Sequence, residues 1–216
     1  MTDFTTLKAD ISAWTARDDL TSALLASFIR IGEASIARRV RVLEQETDDT
    51  LTLNSGNDFA ADLPTGYLGF KHVFDRDASN PEAEYVPPQH FHELNNTPND
   101  AFSFRQAGKL LYTIEANKLK GLLGAGSNEE VTLDVCYIKR FTALSDSNTT
   151  NWLLTYHYDI YLFAALREAW DYIDETEQVA KYSARLDKSI TELDGQEGNK
   201  RRPAGPLVRR PPAVVV

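Results

Sequence analysis

Cysteine is nearly absent. Cys136 stands alone in 216 residues, which excludes an internal disulfide framework and any zinc site built on several thiolates. Long apolar runs are missing too. The longest, Ile160 to Leu166, is closed off by Asp159 and Arg167, far short of the ~20 residues that span a bilayer as a helix. Met1-Thr2-Asp3-Phe4 has neither the basic start nor the apolar stretch of a secretory signal. Positive charge is also scarce: 23 basic residues face 32 acidic ones, for a net charge of −9. Lys200, Arg201, Arg202, Arg209 and Arg210 lie in the last 21 residues against Glu197 alone, so that segment carries +4 and residues 1–195 carry −13. Together these point to a soluble protein of a reducing compartment or of something assembled there, with no membrane partner, whose acidic body repels nucleic acid and lipid surfaces.

Two helices open the chain. Phe4, Leu7, Ile11 and Trp14 recur at spacings of 3, 4 and 3, which predicts one apolar stripe, with Thr2 or Asp3 as cap. Arg17-Asp18-Asp19 interrupts the stripe and is read as the cap of a longer helix from about Leu20 to Val40. Leu24, Phe28, Ile31 and Ser35 share one face of it, with Leu25, Ile29, Ile36 and Val40 beside them. Two apolar flanks imply burial against more than one neighbour. Arg38, Arg39 and Arg41 fall where cations complement the helix dipole.

The middle of the chain turns to strand patterns. Tyr67 to Phe74 follows Pro64-Thr65-Gly66, and Pro81 and Pro87-Pro88 bracket a linking strand before a short helix from Gln89 to Leu94. Phe102 to Gln106 and Lys109 to Ile114 flank Ala107-Gly108 and predict a hairpin there. Val131 to Phe141 alternates cleanly, with Val131, Leu133, Val135 and Tyr137 on one face and Thr132, Asp134 and Cys136 on the other.

Helix returns after Asn151. Trp152 through Trp170 reads as one aromatic helix. Asp174 and Glu177 have capping-box spacing for a last helix, in which Val179, Tyr182, Leu186, Ile190 and Leu193 run up to Gly195 as its stop. Pro203, Pro206, Pro211 and Pro212 then impose an extended arm with a reach of roughly 65 Å. The fold class is α+β: a helical bundle from the N- and C-terminal helices (1–46 and 143–195), an inserted, mostly antiparallel β module (47–142) and a Pro/Arg-rich arm (196–216).

No catalytic pattern emerges. His90 and His92, with His72, lack metalloprotease spacing. Cys136 has no identifiable base. The Gly121, Gly124 and Gly126 loop lacks the lysine of a phosphate-binding loop. Asp48-Asp49 and Glu129-Glu130 read as solvated charge. The aromatic helix has only Arg167 among its aromatics, which disfavours base stacking and favours core or subunit packing. No enzyme activity, cofactor or metal is expected.

The stretch Ala143 to Leu166, with Leu144-Ser145-Asp146-Ser147-Asn148 and Asn151-Trp152-Leu153-Leu154, resembles the head-to-tail adaptor (connector) proteins of tailed double-stranded DNA bacteriophages. Arg17-Asp18-Asp19-Leu20, Ile31-Gly32-Glu33-Ala34, Leu63-Pro64 and Tyr85-Val86-Pro87 agree, so the likeness covers roughly residues 3–195. The family often has Pro where Thr149 and Tyr158 stand. The resemblance implies a structural virion protein at the head–tail junction, assembled in the host cytoplasm. It implies a ring, usually twelvefold, that binds the portal protein above and tail or nozzle proteins below. Viral DNA would pass through its channel without sequence-specific contact.

On that expectation, Leu24, Phe28, Ile31, Trp152, Tyr158, Tyr161 and Phe163 are candidate ring-interface residues. Arg201, Arg202, Pro203, Leu207, Val208, Arg209, Arg210, Val214, Val215 and Val216 form a candidate portal-binding arm. The alternative is a nucleic-acid-binding packaging accessory protein whose basic arm grips phosphates; four or five neutralised phosphates would give it a log–log salt slope of about −4.

Overall fold

The computed structural model describes residues 2–76, 82–96, 109–123 and 130–200. The chain divides into two compact units, one from Met1–Leu43 with Phe141–Val216 and the other from Glu44–Arg140. The first is helical and drawn from both ends of the chain; the second is a continuous α+β insert.

In the helical unit, α1 (Phe4–Thr15) is capped by Asp3, whose carboxylate accepts the Thr6 N–H at 2.7 Å. It buries Phe4, Leu7, Ile11 and Thr15. α2 (Ser22–Arg39) is capped by Thr21, not by Asp18 or Asp19. The Asp19 carboxylate is instead held by both prongs of Arg17. At the far end of α2, Arg39 reaches Asp187 at 2.7 Å and Arg41 donates to the Ala37 carbonyl at 2.8 Å, the helix-end role read from the sequence.

The expected single aromatic helix is two, α4 (Trp152–Tyr156) and α5 (Tyr158–Tyr172). His157 breaks the axis between them, with φ −135° and ψ 55°. The break lets Trp152 lie nearly parallel to Phe141 at 6.0 Å while the Tyr158 O–H donates to Asp10. Asp174 takes a left-handed φ of 65° and forms the turn. A cap needs extended backbone, so α6 starts at Thr176 and the expected Asp174 cap is not made. α6 (Thr176–Lys200) buries Tyr182, Leu186, Ile190 and Leu193 in one stripe and runs on through Gly195.

α5 is the centre of this unit. Its Ile160, Leu162, Ala164, Ala165, Leu166 and Ala169 are buried with the stripes of α1, α2 and α6. The α2–α5 crossing is close because Gly32 lies on it: a Cβ there would stand 3.1 Å from the Ala164 Cβ and 3.3 Å from its backbone.

Among its described residues the inserted unit has two sheets and one α-helix, α3 (Pro88–Asn95). β1 (Glu46–Leu53) and β3 (Tyr67–Asp75) flank β7 (Val131–Lys139), all antiparallel. The second sheet runs β2 (Ala60–Asp62), β6 (Lys118–Leu122), β5 (Leu111–Glu115) and β4 (Glu84–Tyr85), with only β4 parallel to its neighbour. The expected hairpin of Phe102 to Gln106 around Ala107-Gly108 lies outside the described residues. A hairpin is formed further on, where the two-residue loop Ala116-Asn117, with φ of 50° and 62°, closes Glu115 onto Lys118, the geometry that matches strand twist.

Val131, Leu133, Val135 and Tyr137 of β7 face a core shared with Leu53, Val73, Tyr112 and Leu119. Gly121 makes the sheets fit, since a Cβ there would meet the Leu53 side chain at 2.5 Å. On the other face of the second sheet, α3 packs Phe91 against Leu111 and Leu122.

Candidate functional site

Glu33 and the Leu144-to-Asn151 motif, two of the stretches that carry the family resemblance, converge on one partly buried network. The Glu33 carboxylate, on α2, accepts the Leu144 N–H at 2.9 Å and the Tyr161 O–H at 3.1 Å. Asn151 donates to the Tyr161 oxygen at 2.7 Å and to the Thr142 carbonyl at 3.0 Å, while its own oxygen caps α4 through the Leu154 N–H at 2.9 Å. Ser145 and Asn148 close the preceding turn on each other, and the Thr149 carbonyl accepts the Phe4 N–H. Burial pushes the Glu33 carboxyl above its ordinary value despite these hydrogen bonds. Burial, and the charge of Glu33, push the Tyr161 phenol far up, so it remains an O–H donor. The Leu144-to-Asn151 motif is therefore a structural knot that joins the two ends of the chain.

The predicted interface residues separate into three groups. Phe28 and Tyr161 are only 5% and 3% exposed. Their rings are packed in the chain's own core. Leu24, Trp152, Tyr158 and Phe163 are partly buried against that core. Ile31 is open, at 48%. Trp14, expected in the apolar stripe of α1, is 46% exposed, and Thr15 is buried at that end of the helix instead. Sequence periodicity also missed Tyr156 at 68% and Tyr172 at 61%, because a stripe identifies what is buried and carries no signal for an aromatic beside it. Tyr172 packs on Phe28, with ring centres 5.5 Å apart. Phe163 lies beneath the Arg185 guanidinium. Phe163 and Tyr172 are nine residues apart in α5, about 900° at 100° per residue, and so leave it on opposite sides. The arm residues Arg201, Arg202, Pro203, Leu207, Val208, Arg209, Arg210, Val214, Val215 and Val216 lie outside the described residues.

The other candidates have ordinary roles. His90 and His92 lie on α3, where a spacing of two points them apart; they approach Glu93 and Glu115 respectively. His72 stacks on Phe74. Among the described residues no three His, Cys, Asp or Glu side chains come together as a metal site. Burial, with Asp48 nearby, pushes the Cys136 thiol up, away from the reactive thiolate. A cavity of about 480 Å³ in the inserted unit is lined by Lys118, Lys120 and His92 among others. Lys118 already faces Asp62, and Lys120 and His92 face Glu115. No described helix is long and apolar enough to cross a membrane.

The helical unit presents exposed aromatics on a scaffold tied by partly buried polar contacts. The chain matches the model of the SU10 adaptor protein family over residues 2–210 and belongs to that family. The bacteriophage adaptor resemblance of its sequence is thereby shown, and with it a structural head–tail role. The match runs past Gly195 as far as Arg210. No curated protein matches the chain.

Proposed function

We propose that this adaptor forms a closed ring of twelve copies beneath the portal, binds tail proteins on its other side, and surrounds the DNA exit channel. A ring closes through a heterologous contact, which needs two different faces on each copy. The observation that carries this reading is a pair of aromatic sites on opposite sides of α5: the exposed Tyr172 over the buried Phe28, and the half-buried Phe163 under Arg185. Tyr and Arg, with Trp, are enriched among the side chains that dominate the centres of protein interfaces.

The test uses one substitution per face, Tyr172→Asp and Phe163→Asp, with assembly on purified portal rings followed by native mass spectrometry. Each variant alone should fail to form rings. Mixed together without portal, they should yield pairs that stop at two, because each retains one intact face. Full rings from either variant would overturn these faces.

The arm is the proposed portal attachment. Four arginines within 201–216 can pair with carboxylates, and its apolar end can fill a groove. Removing 201–216 should abolish attachment to portal while leaving the melting curve unchanged; normal attachment would remove the claim. The −13 carried by residues 1–195 disfavours phosphate binding, so passing DNA is not held. A gel-shift salt series with a slope near −4 would instead support the packaging-accessory alternative.

A further inference from the structure

The last turns of α6 should be weak as a helix, yet they are formed. Gly195 and Gly198 both lie inside it, and each disfavours helix relative to alanine by about fivefold in the local equilibrium. Packing does not demand glycine at either position, since an added Cβ would meet nothing within 4 Å. This is where the sequence predicted a stop.

Tertiary contacts carry the helix past it. Glu197 is 3% exposed. One of its oxygens accepts the Leu43 N–H at 2.8 Å and the other faces the Lys200 ammonium at 2.7 Å. Lys200 in turn lies 5.4 Å above the ring of Trp152, which is stacked on Phe141. Leu43 is the last residue of the helical unit before the insert, and Phe141 is the first after it. One continuous set of contacts therefore joins the root of the arm to both chain links between the units.

We propose that residues 195–200 are a latch: a helix end weakened by two glycines, held by the Glu197–Lys200 clamp, whose unwinding releases the Leu43 and Phe141 links together. Six residues passing from 1.5 Å to roughly 3.3 Å of rise each lengthen the arm by about 11 Å. A pull on the arm is thus converted into freedom at the links. The coupling is a property of the isolated chain; its use during docking rests on the reading of the arm as the portal attachment.

Hydrogen exchange on the full chain, followed residue by residue by NMR, tests the coupling. The double variant Gly195→Ala, Gly198→Ala places two methyl groups in open space and should slow exchange across 195–200 by about 25-fold, with the Leu43 amide slowed in step. Glu197→Ala raises intrinsic helix propensity but removes the clamp, and should speed both by tenfold or more. Leu43 protection that stays constant while 195–200 changes in the double variant would overturn the latch, whatever Glu197→Ala does to folding. Failure of the arm reading is a separate result, loss of effect on portal attachment when 201–216 is removed, because that truncation keeps Lys200 and the clamp.

Discussion

The helical unit and the inserted unit place their polar contacts differently. In the helical unit the decisive ones are wholly or partly buried and join residues far apart in the chain: Glu33 with Leu144 and Tyr161, Asp10 with Tyr158, Glu197 with Leu43. In the inserted unit several ion pairs, such as Arg76–Asp134, Lys109–Glu84 and Lys118–Asp62, are on its surface, where solvent screening leaves each worth little. The difference follows from connectivity. A unit built from two chain ends must specify which pieces meet, and buried groups that are costly to leave unpaired do so. A continuous unit has its pairings set by a tight hairpin and by strand alternation.

The two units can be followed separately, since Trp14, Trp152 and Trp170 all lie in the helical unit and Cys136 lies in the insert. The largest expected effect is from Leu166→Ala on α5, where the side chain is wholly buried. It should cost about 2–5 kcal/mol, read as an early tryptophan fluorescence transition in urea. Unchanged thiol labelling of Cys136 in native buffer would sharpen the comparison; simultaneous exposure would break it. Next, Gly121→Ala forces a methyl group onto the fully buried Leu53 side chain and should cost about 1–3 kcal/mol. Here Cys136 labelling accelerates while the fluorescence transition stays in place.

Glu33→Ala leaves the Leu144 N–H and the Tyr161 O–H without their acceptor, for about 1–3 kcal/mol. Its carboxyl is raised in the folded state by burial, so the folded chain binds this proton more tightly than the unfolded chain does. The contribution is therefore fully favourable below the ordinary carboxyl value and is lost as pH rises through the elevated one. Glu33→Gln should flatten that part of the fluorescence-detected stability profile; an unchanged slope would assign it elsewhere. The smallest effect is Thr21→Ala at the start of α2, about 1 kcal/mol from the lost cap, visible as a small shift in the same transition.

Much of the fold is legible in the chain because periodicity reports burial directly. The stripes Phe4/Leu7/Ile11 and Tyr182/Leu186/Ile190/Leu193 and the alternation of β7 are buried as the spacing requires. Boundaries were less legible wherever a side chain had a choice of partner. Asp19 looks like a cap but is held by Arg17, and Asp174 looks like one but forms the turn. The candidate contact surface was legible only in part. Phe28 and Ile31 are both apolar and three apart on α2, and only the course of α5 buries one and exposes the other.

The amino-acid order alone determined the class of the molecule: α+β, lacking disulfides and long apolar spans, with helices at both ends and strands between. These properties depend on composition and on repeats of two to four residues. Tertiary structure decided which aromatics remain outside, which carboxylate holds the two ends together, and why α6 continues past a glycine. Each of these depends on a partner more than 100 residues away in the chain, such as Leu43 for Glu197 and Leu144 for Glu33, and no local pattern encodes that distance.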